Sequence, residues 1–188
     1  MVLSKLAEEV SSTIVATIKG ADDVLTTLRT AVKNQVVGVL KDVSDLATTG
    51  MDAVMDVVKG AINAASQTGT SLTQAAKGIV TSAISGVSEV GGDVLEAAQK
   101  AVQGVVLGVS EVGGDVAGAA VSAVEGAIEA AGSVGANTSE AAKRAVVGAL
   151  KAADEAGDQV GKSVRDALLS AASLPRDVIE KVIKGSEE

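Results

Sequence analysis

The residues best placed for acid–base chemistry are pairs of adjacent carboxylates, among them Glu8-Glu9, Asp22-Asp23 and Asp154-Glu155. On a helix, however, adjacent side chains point about 100° apart. The two carboxylates of a pair therefore do not converge on one substrate atom, and a solvated polar surface is the better interpretation.

Serine is the other potential catalytic residue, but a serine nucleophile needs a general base. The chain contains no His and no Cys, so only lysine could serve, and zinc, haem and iron–sulfur sites of the ordinary types are ruled out. The stretch GVSEVGGD contains neither a dinucleotide fingerprint nor a phosphate-binding loop. We therefore expect no enzymatic activity and no cofactor or metal.

The overall composition limits the classes of partner that the chain could bind. A net charge of −8 disfavours nucleic acid, and the lack of Phe, Tyr and Trp leaves no platform on which bases could stack. A hydrophobic fraction of 47% is too high for a typical disordered chain.

The sequence predicts neither a transmembrane helix nor a signal peptide. No apolar run of about 18 residues is free of charge, as a transmembrane helix requires. Acidic residues interrupt the start MVLSKLAEEVSS, where a signal peptide needs an apolar core. The default expectation is a cytoplasmic location, with signal-independent export left open.

The heptapeptide SEVGGDV reveals a repeat, because it occurs at residues 88–94 and again at 110–116, an offset of 22. We number each unit so that Ser88 occupies position 1, and the same offset then runs through eight units. Position 15 reads Ile14, Val36, Val58, Val80, Val102, Val124, Val146, Leu168. Position 17 reads Ala16, Gly38, Gly60, Ser82, Gly104, Gly126, Gly148, Ser170. Such uniform columns indicate a repeat along the whole chain.

The spacing within a unit predicts helices. Apolar or small residues recur with the spacing 4-4-3, which is eleven residues in three turns and is close to the α-helical period. We therefore predict an all-α fold of long amphipathic helices, packed as helical hairpins, as a bundle or as a helical assembly. Residues 1–175 are expected to form an array of eight 22-residue repeats, and residues 176–188 a short helix and tail after Pro175.

The sequence leaves two arrangements of these helices open. Gly91 precedes the N-cap residue Asp93 by two positions, and similar signals at Ser71 and Asn137 favour a tight turn in each unit. The unbroken 4-4-3 register instead favours long helices with few breaks, near Gly91-Gly92, Gly113-Gly114 and Pro175. We expect the second arrangement.

The glycine column indicates close helix packing. Gly in a helix interior costs about 1 kcal/mol relative to Ala, and its recurrence at one site suggests that a neighbouring backbone approaches there. The predicted helix-packing residues are Gly38, Gly60, Gly104, Gly126, Gly148, Val58, Val80, Val102, Val124 and Val146.

The eleven-residue amphipathic rhythm resembles that of exchangeable apolipoproteins, late embryogenesis abundant proteins and the granule-coating phasins. The resemblance implies coating of an apolar surface or protection during drying. The chain departs from these families in having a single proline, Pro175, and no aromatic residue.

We expect a non-enzymatic structural protein that self-associates through its Gly/Ala/Val helix face into a homo-oligomer, tube or filament. An amphipathic coat on a lipid, polymer or other apolar surface is the alternative. A helical spacer or stress-protective chain is a third.

Overall fold

The structure, a computed structural model, describes residues 5–19, 23–43 and 49–186. Within these ranges every regular element is helical, which confirms the all-α prediction. The helices are α1 (Lys5–Ile18), α2 (Val24–Asp42), α3 (Met51–Gln67), α4 (Leu72–Glu89), α5 (Val94–Glu111), α6 (Val116–Ser133), α7 (Thr138–Ala156), α8 (Asp158–Ser170) and α9 (Arg176–Ser186).

Short turns separate the central helices, so the expectation of long helices with few breaks is wrong. Gly69, Gly91, Gly113 and Gly135 adopt positive φ of 72° to 80° at these turns. At the turn after α4, the N–H of Gly92 donates to the carbonyl of Val87 and the N–H of Gly91 to that of Ser88. This pair of bonds caps the end of a helix, and the next helix begins at once.

An N-cap residue begins the next helix after each of these turns. Asp93 accepts the N–H groups of Leu95 and Glu96, and Ser71, Asp115 and Asn137 cap α4, α6 and α7 in the same way. The 4-4-3 register crosses these turns because every helix must present the same face to its neighbours, and not because the helix is continuous.

The helices form two layers. Each helix packs on the next one along the chain and on the one after that, and from α1 to α5 the second of these contacts is the more extensive. One layer therefore contains α1, α3, α5, α7 and α9, and the other contains α2, α4, α6 and α8. Gly104 and Gly108 of α5 lie against Val58 and Ile62 of α3 respectively, so helices of one layer run parallel.

The C-terminal part departs from this pattern. Only Gly157, with φ of 139°, separates α7 from α8. Arg165 of α8 clamps this junction through two hydrogen bonds of 2.8 Å to Asp154 of α7. The last helix, α9, begins directly after Pro175.

Candidate functional site: the small-residue packing face

The valine column forms the centre of the core. Val58, Val80, Val102, Val124 and Val146 are all fully buried. Together with the Ala, Ile and Leu residues around them, they belong to one continuous hydrophobic cluster that runs from Val10 to Ile183. The face predicted from the sequence is therefore covered by other helices of the same chain.

Four of the five predicted glycines lie at close contacts between helices of one layer. A Cβ atom on Gly60 would lie 2.6 Å from the carbonyl oxygen of Ala7, and one on Gly126 would lie 2.7 Å from that of Lys77. Gly104 and Gly148 approach the backbones of α3 and α5 in the same way. No side chain larger than hydrogen fits there unless the helices separate.

Gly38 does not lie at such a contact. It is exposed, and a Cβ atom on it would meet nothing within 4 Å. The physical reason is its place in the array. The face that carries this column points toward the preceding helix of the layer, and α2 is the first helix of its layer.

Further close contacts went unpredicted. Gly86 lies against Lys33 and Val36 of α2, and Gly108 lies against Ile62 of α3. Both occupy position 21, four residues after the predicted column. Gly104 and Gly108 thus form a small-xxx-small pair, a spacing that could have identified the second row.

Charged pairs connect neighbouring helices of a layer along the outer surface. Lys59 of α3 pairs with Glu111 of α5 at 2.9 Å, and the side chains are only 13% and 10% exposed. Other pairs between such helices in the described residues are more exposed, among them Lys33–Glu89, Lys77–Glu129, Asp52–Lys100 and Glu96–Arg144.

The described residues contain no cluster of three or more Asp or Glu side chains that could hold a metal ion. Glu8 and Glu9 are exposed, Asp154 is paired with Arg165, and Asp22 lies outside the described ranges. The Oε1 atom of Gln103 is buried and lacks a hydrogen-bond partner, and the residue as a whole is 5% exposed. None of the described helices is long and apolar enough to cross a membrane.

Comparisons with known proteins support the fold alone. No protein-family model matches the chain, and no curated protein matches it. The crystal structure of a de novo designed helical repeat protein is similar, with a TM-score of 0.52 over 96% of this chain and 95% of the designed one. The sequence identity is 19%. The chain therefore has the fold of a helical repeat protein, built from units whose helices alternate between two layers.

Proposed function

We propose that this chain is a non-enzymatic structural protein, a rigid helical-repeat scaffold whose small-residue face packs its own helices together. The observation that carries the proposal is the burial of the whole valine column inside one chain. Because this face is buried between helices of the same chain, it stabilises the array. The polar outer surfaces remain available to partners.

Close backbone contacts support rigidity. Gly60, Gly104, Gly126 and Gly148 each allow their helix to approach the preceding helix of the same layer closely. Small residues allow many van der Waals contacts between backbones, which individually contribute little but add up over a long interface. Such a core resists the sliding of one helix past another, as a scaffold requires.

Self-association and the coating of an apolar surface stay predictions from the sequence. Either function, if it used the Gly/Ala/Val face, would require the fully buried Val102 and Val124 to leave the core. In the described residues the only large apolar side chain that is clearly exposed is Val134, at 37%. A scaffold needs no such rearrangement, and we therefore favour it.

One pair of variants separates these functions. Val102→Asp introduces a charge at a fully buried site, whereas Val147→Asp introduces the same charge at a half-buried site on α7. If the face packs within the chain, Val102→Asp unfolds the protein and Val147→Asp leaves its helicity in place, as measured by circular dichroism.

The coat and assembly hypotheses predict a different result. The Val102→Asp chain would remain helical and lose either its flotation with neutral vesicles or its sedimentation as a homo-oligomer. That outcome, or a wild-type chain that is disordered in dilute buffer, would overturn the scaffold proposal.

A further inference from the structure

The first helix differs from the interior helices along one row of residues. In the interior helices, positions 10, 14 and 18 are apolar and buried, as in Ala53, Val57 and Ala61 of α3. The same holds in α4 to α7, but not in α8, where position 10 is Ser163 and is exposed. The rows are Ala75, Ile79 and Ala83 in α4, Ala97, Ala101 and Val105 in α5, Ala119, Ala123 and Ala127 in α6, and Ala141, Ala145 and Ala149 in α7.

In α1 this row is polar. It reads Glu9, Thr13 and Thr17, and all three side chains are exposed. Thr13 and Thr17 each donate a hydrogen bond to the carbonyl four residues before, of Glu9 and Thr13, so their hydroxyl groups are satisfied within α1. In an interior helix this row would be buried, whereas in α1 its polar side chains are exposed to water.

The same change occurs in α2. The face that would meet a preceding helix carries Asn34, Gly38 and Asp42, all exposed. Gln35 occupies position 14, where interior helices carry Val, Ile or Ala. Between α1 and α2 lies a groove of about 290 Å³ that is lined by five threonines, Ala31, Asn34 and Gln35. Stacking an apolar helix on this end would take the carboxylate of Glu9 and the amides of Asn34 and Gln35 away from water, which is costly.

We infer that α1 and α2 form a capping unit, and that the polar row Glu9, Thr13, Thr17 and Gln35 prevents a second copy of this chain from stacking on that end of the array. Repeat arrays whose ends carry the interior pattern expose a surface made for another unit. The opposite end is also polar, because five of the eleven residues of α9 are charged, compared with two of eighteen in α6.

The test converts the cap to the interior pattern. The variant Glu9→Ala, Thr13→Val, Thr17→Ala and Gln35→Val reproduces the residue types at positions 10, 14 and 18 of α3. The first three sites are exposed and the fourth is half-buried, so the fold is expected to persist, and circular dichroism checks this. We expect two variant chains to meet through this end, in a symmetric contact, and the weight-average mass in sedimentation to rise toward twice that of wild type with increasing protein concentration.

The matched control makes the same types of change on the surface away from this end. It is Glu155→Ala, Thr81→Val, Thr73→Ala and Gln74→Val, at sites that are exposed or half-buried. The control is expected to keep the mass of wild type. The inference is overturned if the folded cap variant keeps that mass as well, or if the cap variant and the control gain mass alike.

Discussion

Gly104 of α5 lies so close to α3 that a Cβ atom on it would stand 2.8 Å from the carbonyl oxygen of Met55. Gly38 occupies the same position in its own repeat and has open space on that side. Both glycines lie inside a helix, but only Gly104 is packed against a neighbouring backbone. Substituting each of them therefore separates the effect of helix propensity on stability from the effect of close packing.

Gly104→Ala is expected to destabilise the protein although Ala is the better helix former. The propensity gain is about 1 kcal/mol, and overpacking a tight site costs about 1–3 kcal/mol, so the net loss is up to about 2 kcal/mol. Gly38→Ala should gain about 1 kcal/mol. Urea unfolding followed by circular dichroism measures both, and equal gains at the two sites would contradict the packing assignment.

Larger substitutions at the same column extend this prediction. Replacing Gly104, Gly126 and Gly148 together with Leu should unfold the array or expand it, because each Leu would overlap the backbone of a neighbouring helix. The matching Ala variant should be milder. A Leu variant that melts above the wild type would place these glycines in solvent.

Gly113→Ala tests a turn in isolation from packing. Gly113 has φ of 73°, and a Cβ atom on it would meet nothing within 4 Å, so only backbone strain opposes the substitution. The left-handed conformation costs an ordinary residue about 1–2 kcal/mol. We expect a loss of that size in thermal unfolding and a smaller loss for Gly113→Asn, since Asn tolerates this conformation better.

Glu111→Gln is expected to cost much more stability than Glu129→Gln. Both acids pair with a lysine of a neighbouring helix, at 2.9 and 2.8 Å, but the Lys59–Glu111 side chains are 13% and 10% exposed and the Lys77–Glu129 side chains are 42% and 58% exposed. Leaving Lys59 charged and without Glu111 should cost about 3 kcal/mol, whereas an exposed pair contributes about 0–1 kcal/mol. Chemical unfolding curves of the two variants check the ranking, which similar losses would contradict.

Asp23→Asn should make the start of α2 less sensitive to acid. The hydroxyl and the N–H of Thr26 donate to Asp23, and these bonds hold the pKa of its carboxyl below the ordinary value of 3.8. The stability that this ionised cap contributes is therefore present above pH 3.8 and is lost as the pH falls through the lower pKa of the folded state. Asn caps helices about as well and does not titrate.

Hydrogen exchange of the first amides of α2 measures this effect. Below pH 3.8 the wild-type amides should lose protection relative to those of the Asn variant, and above it the two proteins should match. Equal loss of protection in both proteins would mean that Asp23 does not control the acid response of α2.

The column of Val102 and the capping signals at Asp93 and Asn137 were readable from the sequence, because burial and caps are set by residue type at fixed spacing. Whether the helix continued or turned back was harder to read. A helix that continues and one that turns back after Gly91 present the same 4-4-3 register, and only the left-handed glycine followed by its N-cap distinguishes them. Gly38 shows a second limit, since its repeat position matches that of Gly104 and only its place in the array leaves it exposed.

The charged pairs between helices could not be predicted from the sequence of a single repeat unit. Lys59 and Glu111 lie 52 residues apart, more than two repeats, and they meet because α3 and α5 are neighbours in one layer. Once the 22-residue unit is known to place its helices alternately in two layers, such partners can be sought at somewhat more than twice the repeat length.

The two-layer arrangement also governs how the chain folds and unfolds. Among the described residues no helix packs on one more than two positions away along the chain, so α1 and α9 stabilise each other only through the helices between them. Folding can then begin at any pair of adjacent units and spread outward, as in other arrays of this type. The terminal helices, which have neighbours on one side only, are expected to open first on heating, while the glycine-packed middle from α3 to α7 opens last.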